Sequence, residues 1–549
     1  MYQASFSKTK ITFPYLNIGL MGYGMWKNRA KSYATNLYVR TFALQQKDSK
    51  SVFFFVNVEM AFITPSIRRE VIAELNKINF TINEQALMLT AQHTHSAPSG
   101  FSEYAYYSFT TPRFRPAIQK AYVDAIVQSI LMSFKKLEPV DLYYKMATFQ
   151  KDIPVAWNRS VEAYINNPEV ANKQVQSNEA IDRRMQLLQV INKKGKLLGS
   201  INWFGVHATC IGNKNTKISS DNKGYASYFL EQEFKDTIHL FAQSKAGDVS
   251  PHFHGKNQEK IRAKISKKGE HIYAKQNGLL QYQKAKEIIE QEKGIKLKGE
   301  IKAGLFFSDY TNIQVDSKYT FNRANQQTSE ACFGLPFYIG TPIDGKGIPL
   351  FFGSVLRMIN NKINKSYTHL KSSQGNKEII LNACTKDMLG TGRMDVFPSF
   401  VDLAVAEMNT QYRAGALKEN TLTPIILPIQ IITIGQLAIV GIPGEITTIA
   451  GKRIEKQVLN HLQKTGIEQV VLSSYANSYM GYITTPEEYT AQLYEAGHAL
   501  FGQWTLGAFQ TEIDKLCRCI TESEQCSTAI DFNLRPPLFS DKELKLRSK

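Results

Sequence analysis

The sequence predicts an α/β protein built as a single large mixed unit, and three observations support that reading. Short runs rich in Val and Phe alternate with segments of helical spacing through the first 140 residues. The same alternation returns after Ile425. Histidines stand at the ends of apolar, strand-like runs, where α/β folds place their chemistry.

Taken in order, Ser51 to Phe62 (SVFFFVNVEMAF) reads as a buried strand. Pro65 to Ile78 follows with Ile67, Val71, Ile72 and Leu75 at helical spacing and a proline at its start. Ala86 to Ala91 is a second strand that runs straight into His93, and Tyr122 to Leu137 reads as an amphipathic helix. Leu187 to Ile191 and Leu198 to His207 read as paired strands joined by the turn Asn192 to Lys196. The lysine-rich stretch from Lys256 to Lys302 reads as exposed helix, and Ser308 to Asn376 as irregular chain. After Ile425 the pattern predicts two strands around a Thr-Ile-Gly-Gln turn, then a turn at Gly441 to Gly444 and a helix from Glu445 to Thr465. A strand at Gln469 to Ser474 and a helix at Pro486 to Phe501 complete the order. Neither an internal repeat nor a low-complexity linker interrupts it. The expectation is one compact catalytic unit over residues 1–525 and a short tail over 526–549.

Composition narrows the function classes. Apolar residues make up 43% of the 549 and charged residues 21%, which suits a folded chain with an ample core and excludes global disorder. The net charge is +18, but lysines are spread along the chain and the densest stretch, Lys260 to Lys275, mixes in Ile, Gly and Glu. With no DNA- or RNA-binding motif present, nucleic acid is not expected as a partner. A solvated basic face is the plain reading, and attraction to an anionic membrane surface the second. Six cysteines (Cys210, Cys332, Cys384, Cys517, Cys519 and Cys526) are too few for a disulfide scaffold in so long a chain. The last three lack the paired spacing of a zinc knuckle and read as thiols or one disulfide. Met1 to Thr12 shows no signal-peptide h-region, and no stretch reads as a membrane-spanning helix.

Five short clusters hold the candidate chemistry. Gln92 to Phe101 (QHTHSAPSGF) puts two histidines one residue apart at a strand end, able to face one cavity or flank one metal. Asn202 to His207 ends an apolar strand in a histidine, which a core position would equally explain. Ala246 to Pro251 (AGDVSP) is a tight turn that presents Ser250, without the Gly-x-Ser-x-Gly elbow and with no local base. Gly441 to Glu445 sets a carboxylate at a helix start, where the helix dipole favours it. Tyr479 to Tyr489, continuing to Tyr494 and Glu495, carries tyrosines that ordinarily serve packing.

In order, these clusters resemble the motif series of the neutral/alkaline ceramidase family. The resemblance begins at Met21-Gly22-Tyr23 and passes through His93-Thr94-His95-Ser96, Asn158-Arg159-Ser160, Ala163-Tyr164 and Asn166-Asn167-Pro168. It continues through Asn202-Trp203-Phe204 with His207, Asp221 to Ser227, Gly247 to Pro251, Gly444-Glu445 and Tyr482 to Thr485. It spans about Gly19 to about Asp514.

That resemblance implies a zinc-dependent amide hydrolase that cleaves the N-acyl bond of ceramide to sphingosine and a fatty acid. It implies one catalytic zinc held by His93, His207, Glu445 and Tyr482, with His95, Arg159, Ser250 and Tyr494 around it. A structural calcium or magnesium is left open. In such a site zinc activates water or polarises the carbonyl. Tyr494 or Arg159 serves the oxyanion, and His95 protonates the departing amine. Ser250 is either a covalent nucleophile or the group that orients water and a substrate hydroxyl. A two-chain lipid implies a deep apolar cleft. Phe101, Tyr104, Tyr106, Tyr107 and Phe109 either line its mouth or form an exposed aromatic loop. Ala97 and Ser99 stand where the family usually has glycines, and His252 where it usually has Asn. Only Cys526 to Lys549 follow the catalytic motifs, too few for the immunoglobulin-like domain of roughly 100 residues that many members carry. Two alternatives stand beside this reading: a zinc amidase acting on another N-acyl lipid, and a catalytically inactive lipid-binding relative. Retention of all four implied ligands speaks against the inactive relative. The family resemblance implies a secreted or membrane-surface location.

Overall fold

The computed structural model describes residues 1–549 except 48, 50, 112, 256, 342–344, 348–363, 522–529 and 549. Its first and larger sheet is mixed. The strands are β1 (Tyr2–Lys10), β2 (Tyr38–Gln46), β3 (Val52–Val58), β4 (Leu87–Ala91), β5 (Glu138–Thr148), β6 (Arg184–Asn192), β7 (Leu197–Trp203), β8 (Ile238–Ala242) and the short β9 (Ile295–Lys296). They lie in the order β8-β7-β6-β5-β1-β2-β3-β4, with β9 on β5. The β3/β4 and β7/β8 pairs are parallel and the others antiparallel. A second sheet runs β10 (Ile301–Asp309), β11 (Ile426–Ile434), β12 (Leu437–Ile442), β13 (Gln469–Ser474), and only its last pair is parallel.

Strand period explains how the two sheets stack. Side chains alternate faces along a strand, so Phe53 and Phe55 of β3 join one core while Val52, Phe54, Val56 and Val58 join another. In β12, Leu437 and Ile439 enter the first of these cores, and Ala438, Val440 and Ile442 face away from it. The shared core therefore lies between the sheets. The outer face of the large sheet is covered by helices α1 (Pro65–Lys77) and α2 (Pro116–Phe134). Helices α5 (Thr448–Leu462) and α6 (Thr505–Thr521) cover the outer face of the second sheet. Helices α3 (Asp221–Glu233) and α4 (Lys267–Glu290) pack together near β8. Gly278 permits that approach, since a Cβ there would lie 2.6 Å from the Asn222 carbonyl.

Most expected elements are present, with corrections at tertiary contacts. Pro65 opens α1, as the sequence indicates, and the structure adds a cap, Thr64 accepting from the Ile67 amide. The lysine-rich stretch is not simply exposed helix: α4 buries Ala274, Gln281, Ala285 and Ile288, and β10 begins at Ile301. Glu445 does not start a helix. Glu445–Ile446 pairs in parallel with Tyr482–Ile483, and α5 begins only at Thr448. The expected helix from Pro486 to Phe501 is two short ones, Pro486–Thr490 and Tyr494–Gly497, separated where Gln492 takes a left-handed φ of 47°. Residues 342–344 and 348–363 of the Ser308–Asn376 segment, and Cys526, lie outside the described residues. The rest of that segment is not wholly irregular, since Cys332–Gly334 is a strand and Leu335–Ile339 and Lys371–Gln374 are short helices. Within the tail, Asp541–Ser548 is helical and returns to the body, where the Arg547 carbonyl accepts from the Phe114 amide at 3.1 Å. Cys210, Cys332, Cys384 and Cys517 are free thiols, and Cys519 is disulfide-bonded. Among the described residues, no helix is long and apolar enough to cross a membrane.

One buried charge cluster ties the large sheet to α3. Arg40 of β2, 1% exposed, contacts Glu59 at 2.5 Å and Glu231 of α3 at 2.7 Å. Lys8 reaches the other Glu231 oxygen at 2.6 Å. Removing one partner strands carboxylates in a low-dielectric interior. Arg40→Ala is expected to destabilise the fold by about 3–5 kcal/mol, measured as a lower urea midpoint by circular dichroism.

Candidate metal centre and active site

Each parallel strand pair presents its carboxyl ends in one direction, and the functional side chains follow those ends. His93 lies two residues past β4 and His207 four past β7. Ser250 follows β8, Glu445 follows β12, and Tyr475, Tyr479 and Tyr482 follow β13. Gln243, just beyond β8, joins the strand ends by donating to the carbonyls of Gln92 at 2.9 Å and Val206 at 2.7 Å. Thr94 also forms a parallel bridge with Ala208.

The centre is built from His93, His207 and Glu445, all buried. One candidate ligand atom from each lies within 4.8 Å of the others. His93 holds a left-handed φ of 66°, a conformation that costs a non-glycine residue roughly 1–3 kcal/mol and turns its ring out of the strand row. Its Nδ1 donates to the Ala61 carbonyl at 2.7 Å, and His207 Nδ1 donates to the Val249 carbonyl at 3.0 Å. Both rings therefore keep the Nε2 lone pair free, the arrangement outer-shell carbonyls impose on metal-binding histidines. Those nitrogens lie 3.4 Å and 2.8 Å from the two oxygens of Glu445. Burial lowers the His93 pKa to about 4, so the ring is neutral at pH 7. Burial pushes Glu445 upward, but His93, His207 and Tyr479 outweigh it and hold the carboxyl well below its ordinary range. Lone pairs facing an ionised carboxylate leave a place for positive charge, and a divalent cation fits this donor set.

The surrounding residues position these three. Tyr479 donates to Glu445 Oε1 at 2.5 Å and Tyr475 to Oε2 at 3.2 Å. The Tyr475 ring also stacks on His93, with centroids 4.2 Å apart. Tyr482 is the ladder partner of Glu445, and its hydroxyl accepts from Arg159 at 2.9 Å. Arg159 is held in turn by Glu495 at 2.9 Å and by the Gly247 carbonyl at 2.8 Å. Its guanidinium lies 5.3 Å from the Tyr494 ring, and that ring lies 5.5 Å from Tyr482. His95 is half-buried and points Nε2 at His93 Nε2 from 3.0 Å. Ser250 is fully buried in a two-residue strand paired with Trp157–Asn158. It directly follows the carbonyl that orients His207. Asp248 braces this turn by accepting from Asn158 Nδ2 at 2.7 Å and from the Thr448 amide at 2.8 Å.

The structure thus brings His93, His207 and Glu445 together, sets His95 against His93, and groups Tyr482, Arg159 and Tyr494 beside Glu445, while Ser250 lies next to the Val249 carbonyl that orients His207. It adds Tyr475, Tyr479, Asp248 and Glu495 as groups that hold them. Tyr479 and Glu495 stood in a cluster read as packing. The Ala61 and Val249 contacts use backbone oxygens and leave no trace in side-chain identity. The aromatic segment after the histidines is not an exposed loop. Phe101, Tyr104, Tyr107 and Phe109 are buried, and Tyr107 packs edge-on against Tyr479 at 5.6 Å. His252, one of the departures from the family pattern, donates through Nε2 to the Thr209 carbonyl at 2.5 Å.

Comparison with known proteins agrees with this geometry. The neutral ceramidase of Pseudomonas aeruginosa is 32% identical over 513 residues, covering 93% of this chain and 70% of that protein. Neutral ceramidase A of Dictyostelium discoideum is 29% identical over 560 residues, covering 95% of this chain and 73% of that one. The crystal structure of the Pseudomonas aeruginosa neutral ceramidase superposes with a TM-score of 0.78 at 28% identity, over 98% of this chain and 76% of that chain. A structure described as ceramidase complexed with C2 gives 0.79 at 29% identity, over 98% and 78%. Residues 2–511 match the family described as neutral/alkaline non-lysosomal ceramidase, N-terminal, and the chain belongs to that family.

Proposed function

We propose that this chain is a zinc-dependent amide hydrolase that cleaves the N-acyl bond of ceramide, giving sphingosine and a free fatty acid. The observation behind the reading is the convergence of two tautomer-fixed imidazoles on one buried carboxylate, in a chain of this family. His93, His207 and Glu445 would hold the metal, with the Tyr482 hydroxyl as fourth ligand. When bound, zinc supplies Lewis-acid activation of an amide carbonyl and of water.

The protein groups divide the remaining work. Water adds its oxygen to the amide carbon, the C–N bond breaks, and the departing amine takes a proton. His95 faces the centre through Nε2 and is half-exposed, so it can carry that proton to the amine. Arg159 places positive charge beside the Tyr482 hydroxyl, and with Tyr494 it forms the wall where negative charge develops on the carbonyl oxygen. Ser250 is fixed by the Asp248 turn and orients the attacking water and a substrate hydroxyl. This orienting role is favoured over a nucleophilic one because no dedicated base is built beside it in sequence.

Three outcomes are expected. His93→Ala or His207→Ala abolishes both bound zinc, measured by plasma emission spectroscopy, and hydrolysis of a labelled ceramide. Full zinc occupancy in either variant shows that the ligand set is wrong. Tyr479→Phe keeps the ring packing but removes a hydrogen bond to Glu445. It is expected to weaken metal affinity about 10–100-fold in a competition titration with a chromogenic chelator. Ser250→Ala is expected to slow turnover ~10²–10³-fold while retaining zinc. A fatty-acyl ester trapped on Ser250 and found by mass spectrometry would replace the orienting role with a covalent one.

A further inference from the structure

Residues 1–47 contain no aspartate or glutamate. Within them lies an antiparallel hairpin, closed by the Gly19–Arg29 bridge and by the Leu20 amide donating to the Asn28 carbonyl at 2.7 Å. Its inner side backs the candidate site. Gly22, at φ +127°, brings the backbone so near His95 that a Cβ would lie 2.3 Å from the ring. Tyr23 packs edge-on against the same ring at 4.8 Å. The outer side is different, with Met25 and Trp26 projecting into solvent and Tyr15, Leu16 and Tyr33 exposed at the hairpin's base. Isolated exposed apolar residues are ordinary, but a group of five in one 19-residue stretch is not.

Charge accompanies this apolar group. Lys27 and Lys31 are exposed, and Arg29 lies 6.0 Å from the Trp26 ring. Exposed Lys217 joins them, because Lys217–Ile218 pairs with Ser32–Tyr33. Lys214 is exposed three residues earlier. Among the described residues none of these five cations forms an ion pair. Arg29 does donate to the Asn17 side chain and carbonyl, but tryptophan and methionine flanked by basic side chains without carboxylate partners suit the boundary of a bilayer with anionic headgroups.

We propose that the Gly19–Arg29 hairpin is a docking element for an anionic lipid bilayer, seating Met25 and Trp26 at the headgroup boundary and holding the His95 side of the site toward the lipid. The proposal rests on the lipid-substrate reading for its purpose, though the binding it asserts is independent of catalysis. The hairpin is anchored rather than loose. Asn28 Nδ2 donates to the Asn215 carbonyl at 2.7 Å, and the Tyr23 hydroxyl to the Ile211 carbonyl at 2.6 Å. Docking would therefore orient the whole molecule.

The test uses the full chain and substrate-free vesicles. Trp157, Trp203 and Trp504 are at most 7% exposed, whereas Trp26 is 36% exposed, so a change in tryptophan emission on binding reports Trp26. Vesicles of phosphatidylcholine containing roughly a third phosphatidylglycerol should shift the emission to the blue and co-sediment the protein. Pure phosphatidylcholine vesicles should bind at least about tenfold more weakly. Trp26→Phe should abolish the emission shift and keep co-sedimentation. Met25→Ser with Trp26→Ser should lose binding, and Lys27→Gln with Lys31→Gln should weaken it roughly tenfold or more. Unchanged far-ultraviolet circular dichroism and melting would show that each variant is folded. Equal binding to neutral vesicles, no binding to anionic ones, or a lipid-independent shift that grows with protein concentration and reports self-association, overturns the proposal. If anionic vesicles bind but no N-acyl lipid is hydrolysed, the functional reading fails and the docking element stands.

Discussion

The Glu445 carboxylate is the constraint around which the site is organised. An ionised carboxylate in the interior is costly unless both oxygens are engaged by hydrogen bonds or opposite charge. Here the Tyr479 hydroxyl donates to one oxygen and the Tyr475 hydroxyl to the other, while the Nε2 atoms of His93 and His207 face the same two oxygens across the place a cation would fill. Those partners come from three separate strand ends, so the carboxylate is satisfied only when the two sheets are stacked in register. The need to pair Glu445 and the need to bury the inter-sheet core with Phe53, Phe55, Leu437 and Ile439 thus select the same packing. The histidines already spend their Nδ1 protons on carbonyls, which leaves the centre rich in lone pairs and short of positive charge. A site left in that state is prepared for a cation.

This arrangement also explains why no short motif marks the candidate metal centre. His207 and Glu445 are 238 residues apart, and their pairing depends on the course of β7 and β12 rather than on local spacing. The individual histidines were legible because each ends a run of apolar residues, and a strand end is an exposed place for a polar group to appear in sequence. Their convergence is a property of the parallel pairs β3/β4, β7/β8 and β12/β13, which aim their carboxyl ends at one locus. Only the order of several motifs along the chain carried that information, through the resemblance of the whole series to one family.

Where the sequence reading failed, tertiary pairing overrode local preference. Gly-Ile-Pro-Gly-Glu before Ile-Thr-Thr-Ile-Ala is a sound helix-start pattern, yet Glu445 and Ile446 are taken into a ladder with Tyr482 and Ile483. The cost is three residues of helix, and the result is that Glu445 and Tyr482 lie side by side. A similar exchange breaks the Pro486–Phe501 segment at Gln492 and leaves Glu495 free to reach Arg159 and Ser160. No propensity scale assigns Gln a left-handed φ. Tyr479 was readable as a packing residue and does pack, on Phe62, as Tyr475 packs on His93. Their hydroxyls do the positioning, and the sequence has no means of showing where a buried hydroxyl finds its acceptor.

The N-terminal hairpin shows how surface and centre are connected through a short stretch of chain. A side chain at Gly22 would collide with His95, so the hairpin can close over that histidine only with glycine at this position and with φ positive. Three residues on, Met25 projects outward, followed by Trp26. Site and surface are thus separated by less than one turn of the hairpin, and the anchoring bonds of Asn28 and Tyr23 keep that separation rigid. Rigidity favours a fixed platform over a lid, because a lid needs a hinge that the carbonyl anchors at Ile211 and Asn215 deny it. The half-exposed ring of His95 is then the natural point of contact between an outside phase and the buried donor set. On the proposed function, an outside phase that holds two-chain amides would meet His95 before the His93, His207 and Glu445 donor set, the order that a proton donor in front of an electrophilic centre requires.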